Sequence, residues 1–215
     1  MSDTDAVADA DVVLSLNSAT VAVQVARECA PGLRPNAVYA DLNSASPRTK
    51  REIDRVLAGV PAAFVDAAVL APVPRAGLRT PLLLAGPGRE RLTAFLRPLG
   101  VPVTDAGDQP GAAAGAKMLR SVFMKGLAAV IGEALDAAEA AGQQDWLRDQ
   151  IVAELQAAGE PLVTRLVEGT RQHAARRVHE MTAAVEYLDE LGVSAHLSRA
   201  TRTRLTEIAA ARSGA

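Results

Sequence analysis

Lys117, Ser121 and Lys125 recur at strict four-residue steps within the stretch 111-GAAAGAKMLRSVFMKG-126. Four residues turn an α-helix by roughly 400°, so each step drifts only about 40° round the axis. Two ammonium groups and a hydroxyl therefore share one narrow stripe, while Leu119, Val122, Phe123 and Leu127 serve other faces. Such a stripe is either a solvated face or one wall of a site. A crowded lysine can have its pKa lowered toward the working pH, which general acid–base chemistry needs, and Lys117 is the candidate. Ser121 would orient it or meet the substrate. Lys125, about 12 Å further along the axis, is too distant for the same proton and would hold an anionic group of the substrate. The preceding run 111–116 carries only small side chains, which allow a close crossing against another layer. Small residues first and polar residues next is how a helix leaves a packed contact and enters a pocket.

The elements that must position this stripe come in two kinds. Up to about residue 109, strands alternate with short helices. The run 11-DVVLSL-16 reads as a strand buried on both faces, followed by helix 19–30. A strand at 37–42 ends in 43-NSASP-47, where Ser46 is a plausible N-cap and Pro47 the first residue of helix 47–59. A strand at 62–70 runs into 71-APVPRAG-77, too rich in Pro and Gly to be regular. Segments 80–86, 88–100 and 101–107 read as strand, helix and strand. From Pro110 onward only helical spacing remains, over 111–141, 144–159, 161–172, 174–192 and 198–214. The expected fold is α/β: an incomplete Rossmann-like, mainly parallel sheet over 1–109, then an all-α helical bundle over 110–215.

Composition narrows the function classes. A net charge of -2 in 215 residues gives no electrostatic footprint for nucleic acid. The single cysteine, Cys29, excludes an internal disulfide and a cysteine-based metal site, and reads as a small core residue. No Ser–His–Asp or metal-ligand spacing stands out. His173 and His179, among Arg171, Arg176 and Arg177, read as a solvated basic face. No apolar run reaches membrane-spanning length and the acidic start is unlike a signal peptide, so a cytoplasmic protein is expected. An Ala-rich bundle with 3% aromatics would gain from a partner, which predicts a homodimer through the helical part.

Open parallel sheets bind ligands at the carboxyl ends of their strands. Here those ends carry Asn17, Ser18 and Thr20 after the first strand, then Asn43, Ser44 and Ser46 after the second, then the stretch from Asp66 to Val73. A strand, Gly-rich turn and helix of the dinucleotide-binding type do not precede Asp11. The nearest hint, 84-LAGPGRE-90, contains a proline and follows the fourth strand.

With these residues in view, the chain resembles the β-hydroxyacid dehydrogenase and phosphogluconate dehydrogenase superfamily. The loop 41-DLNSASP-47 is similar to the family's Asp-x-Ser-Thr-x-x-Pro turn, and 66-DAAVLAPVP-74 sits where the family has its substrate loop. The helix GAAAGAKMLRSVFMKG resembles the one that presents the catalytic lysine, here Lys117. The resemblance implies an NAD(P)-dependent oxidoreductase passing hydride between NADP or NAD and a small hydroxy, carbonyl or imine compound. It assigns catalysis to Lys117 and Ser121, and substrate binding to Asp66, Ala71, Pro72 and Lys125. Asn17, Ser18, Thr20, Asn43, Ser44 and Ser46 would meet the cofactor. The departures are Ser121 where the larger family has Asn, Ala71-Pro72-Val73-Pro74 in place of a Ser-Gly-Gly loop, and the missing glycine fingerprint. The last implies a truncated product, a cofactor-independent descendant doing proton-transfer, isomerisation or cyclisation chemistry or binding a small ligand, or a subunit completed by a partner chain.

Overall fold

The structure, a computed structural model, describes residues 2–213. Its chain divides into two compact units, Met1–Val122 and Phe123–Ala215.

The first unit is built on five strands, β1 (Val12–Ser15), β2 (Val38–Asp41), β3 (Ala63–Val69), β4 (Leu82–Ala85) and β5 (Val103–Asp105), ordered as numbered. All neighbours are parallel except β3 and β4. Between those two the chain forms only α4 (Val73–Ala76) and a 3₁₀ turn at Gly77–Arg79, so 71–77 is more regular than its composition predicts. Elements that short do not carry the chain across the sheet face, and β4 therefore returns antiparallel. The acidic start forms α1 (Asp3–Val7), because Ser2 and Asp5 make a reciprocal capping box. Helices α2 (Ala22–Cys29), α3 (Pro47–Leu57) and α5 (Arg89–Leu96) cover the sheet.

Every residue of β2 is buried, as a central strand covered on both faces requires. Period-two alternation sends Tyr39 into one core, with Ala26, Cys29, Ile53 and Phe64, and Val38 and Ala40 into the other, with Val65, Leu84 and Leu92. Burial also pushes the Cys29 thiol above its ordinary pKa, the behaviour of a core residue.

Helix α6 (Ala112–Ala140) starts in the first unit and ends in the second, which continues with α7 (Gln144–Gln156), α8 (Glu160–Glu190) and α9 (His196–Ser213). The sequence signals divide residues 161–192 at position 173, and α8 is broken there: His173 has φ −117° and ψ 21°. Such a break interrupts the i→i−4 ladder and leaves carbonyls to be satisfied from elsewhere. Arg212 of α9 does this, donating from Nη1 to the Arg171 and Gln172 carbonyls at 2.7 Å each. Among the described residues no helix is long and apolar enough to cross a membrane, and no group of three metal-ligating side chains occurs.

Candidate functional site

The site grows from the end of β2. Ser46 caps α3, its Oγ accepting from the Thr49 amide at 3.1 Å, and Pro47 fills the first helical position. The short loop between β2 and α3 therefore has fixed ends, and it holds Asn43 buried and Ser44 exposed. Asn43 Nδ2 donates to Asn17 Oδ1 at 3.0 Å, and Asn17 Nδ2 donates to Ser15 Oγ at 3.0 Å. The ends of β1 and β2 are thus laced together. Ser18 and Thr20 share a 2.7 Å hydrogen bond on the exposed turn after β1.

Helix α6 enters beside this loop. Gly111, with φ +94°, makes the turn into it, and a Cβ there would lie 2.8 Å from the Pro47 carbonyl oxygen. Only glycine suits both demands. The buried Ala113 packs with Ala68 and Ala85, so the small-residue run is a close crossing against the sheet. On the next turn the stripe opens: Lys117 Nζ donates to Ser44 Oγ at 2.7 Å. Ser121 follows, half-buried, on the same helix. Asn17, Asn43, Ser44 and Lys117 are therefore brought together, with the Ser18–Thr20 pair on the turn beyond Asn17. Ala71 and Pro72 lie at the start of α4, with Pro72 exposed. Lys125 belongs to the second unit.

Beneath the loop lies a group that the spacing of apolar residues did not reveal. Lys50 is 1% exposed, and its Nζ donates to the Asp41 carbonyl and to Asp41 Oδ2, each at 2.6 Å, while Asp66 Oδ1 lies 3.4 Å away. Asp41 and Asp66 are both fully buried and stand abreast on neighbouring parallel strands. The second oxygen of Asp41 accepts from Asn43 Nδ2. Asp66 Oδ2 accepts from the Gly111 amide at 3.1 Å and the Ala114 amide at 2.9 Å. Its carboxylate is thus enclosed by the start of α6 and by Lys50, and the contacts it makes are those of a helix anchor. Losing one member of a buried ionic set costs about 3–5 kcal/mol, because the others are left uncompensated. One sequence signal does point here: only three of the 23 basic residues are lysine, Lys50, Lys117 and Lys125. Arginine is the default cation of this chain, and two of the three exceptions sit at the site.

A dinucleotide needs hydrogen-bonding groups for its ribose and nicotinamide and free backbone amides for its pyrophosphate. The exposed hydroxyls and amides after β1 and β2 fit the first requirement. The turn 84-LAGPGRE-90 does not supply the second: Gly86 N donates to the Gly107 carbonyl and Gly88 N to the Phe64 carbonyl, both at 3.0 Å. A Cβ on either glycine would approach β3 to 2.9 Å, so both serve close packing.

Comparison with known proteins accords with this architecture. Residues 138–208 match a domain of unknown function, DUF1932. A conserved hypothetical protein from Sinorhizobium meliloti 1021 is 36% identical over 95% of this chain and 69% of its own, with a TM-score of 0.61. Conserved protein MTH1747, of unknown function and described as structurally similar to 3-hydroxyacid dehydrogenases, is 28% identical over 99% of this chain and 80% of its own, with a TM-score of 0.62. An imine reductase variant from Myxococcus stipitatus in complex with NAD+ is 19% identical over 98% of this chain and 78% of its own, and its TM-score of 0.79 shows the shared fold. With its Rossmann-like sheet, its helical second unit and the DUF1932 match, the chain belongs to the same family as the Sinorhizobium meliloti protein, a family of 3-hydroxyacid dehydrogenase-like fold.

Proposed function

We propose that this chain serves NAD(P)-dependent hydride transfer to or from a small hydroxy, carbonyl or imine compound, with Lys117 as the acid–base group. The observation that carries the reading is the 2.7 Å hydrogen bond from Lys117 Nζ to Ser44 Oγ, at the carboxyl end of parallel strands. When bound, NADPH or NADH would supply the hydride for reduction, and NADP or NAD would accept it in the reverse direction. Asn17, Ser18, Thr20 and Ser44 hold its ribose and nicotinamide end, and Asn43 braces the loop from below. Lys117 gives its proton to the substrate oxygen or nitrogen during reduction and takes it back during oxidation, with Ser44 orienting the ammonium between turnovers. Ser121 faces substrate one turn further on, and Ala71 and Pro72 border the substrate.

Calorimetric titration with NADPH and then NADH tests this. Micromolar binding of either is expected. No binding at millimolar cofactor would reject hydride transfer for this chain. It would favour a second reading, cofactor-independent proton transfer at the same lysine, such as isomerisation or cyclisation. That reading draws on the amides of Gly86 and Gly88, which are engaged by backbone carbonyls and not turned to a pyrophosphate.

The second unit is read as the dimer-forming part. Phe123, Trp146, Val163 and Leu166 are all more than half exposed on its helices, an apolar surface that a second copy would cover.

A further inference from the structure

The buried triad connects to both ends of the Lys117–Ser44 hydrogen bond. From Lys50 one arm runs through Asp41 to Asn43, the residue before Ser44. The other runs through Asp66 to the amides of Gly111 and Ala114, which open α6 one turn before Lys117. Two carboxylates abreast on adjacent strands repel, and the Lys50 ammonium between them holds both in place. Asp66, accepting from the amide of Gly111 just before α6 and from its third helical amide, Ala114, fixes where that helix starts and how it is rotated.

We infer that Lys50 is a positioning residue: through Asp41 and Asp66 it sets the register of α6 against the Ser44 loop and so holds Lys117 on Ser44. The inference rests on the reading of Lys117 as the acid–base group, and its test separates the two. Because the chain has three lysines, competitive acetylation followed by mass spectrometry reads Lys117 directly, with exposed Lys125 as the internal reference. The variants are Asp66→Asn, which keeps an acceptor for the two amides but removes the charge facing Lys50, and Lys50→Met/Asp66→Asn, which removes the pair and leaves a single buried carboxylate. Circular dichroism and thermal melting check folding.

In folded variants the acetylation rate of Lys117 relative to Lys125 is expected to change by about threefold or more as the ammonium loses its fixed partner. Where turnover is measurable, kcat is expected to fall about tenfold or more, with KM for cofactor little changed, as for a displaced catalytic group. An unchanged Lys117 rate in a folded variant would overturn the inference. Failure of both variants to fold would overturn it too, since the triad would then hold the fold rather than the site. Full turnover by Lys117→Met would instead sink the acid–base reading and leave the acetylation result standing on its own.

Discussion

Lys117 was legible from the sequence because small residues followed by spaced polar ones, together with a family-like flanking loop, mark a helix that leaves a packed crossing. Ser44, Asn17 and Asn43 were legible as polar residues at strand ends, and the hydrogen bonds at β1 and β2 now join them. Lys50 was not legible, because an amphipathic pattern assigns charged residues to the solvent face. Its long side chain instead reaches two aspartates on neighbouring strands. Asp66 shows the same limit: the family resemblance assigns it to substrate, and nothing in the sequence signals its hydrogen bonds to the start of α6. Replacement of Lys117 by methionine keeps the aliphatic stem and removes the proton. It is expected to lower kcat by about 10²-fold or more while cofactor affinity in calorimetry stays near that of the parent.

At the scale of elements, α6 and α9 begin at residues that cannot cap them. Gly111 precedes α6 and Ala195 precedes α9, and neither has a side-chain acceptor. Carboxylates distant in sequence replace the missing caps. Asp66 serves α6, and Glu133 accepts for α9 from the Leu197 amide at 2.7 Å, the Ser198 amide at 2.8 Å and the Ser198 hydroxyl at 2.7 Å. Burial alone would push the Glu133 carboxyl up, but these donors, with His196 nearby, bring it below its ordinary pKa. The stabilisation is therefore fully present above the ordinary glutamate value of about 4.3 and is lost as pH falls through the lower folded value. Glu133→Ala is expected to lower stability by about 1 kcal/mol at neutral pH in urea unfolding, with the gap from the parent closing at acidic pH. A gap that persisted at acidic pH would show that the carboxylate charge is not its source. Strand and helix boundaries were readable because periodicity is local; remote caps were not, because they pair residues 45 to 65 positions apart.

At the scale of the whole molecule, the second unit buries its core mostly with small residues such as Ala137, Ala138, Ala174 and Ala195, and leaves large ones outside. The homodimer proposed above would cover the large residues. Light scattering coupled to gel filtration is expected to give twice the chain mass, and Leu166→Glu is expected to shift it toward the monomer; a monomeric parent at micromolar concentration would reject the dimer. The helical half was legible as helices, and even the division of α8 at residue 173 was readable from its segment pattern. The partner of that break was not, because Arg212 lies 40 and 41 positions beyond the carbonyls it satisfies. The far end of the chain thus acts as a splint on the middle of its longest helix. Deleting residues 212–215 is expected to speed amide hydrogen exchange around His173 while leaving the protection of β2 and β3 unaltered. For anyone handling the protein, a tag or fusion joined directly after Arg212 bears on the bend in α8.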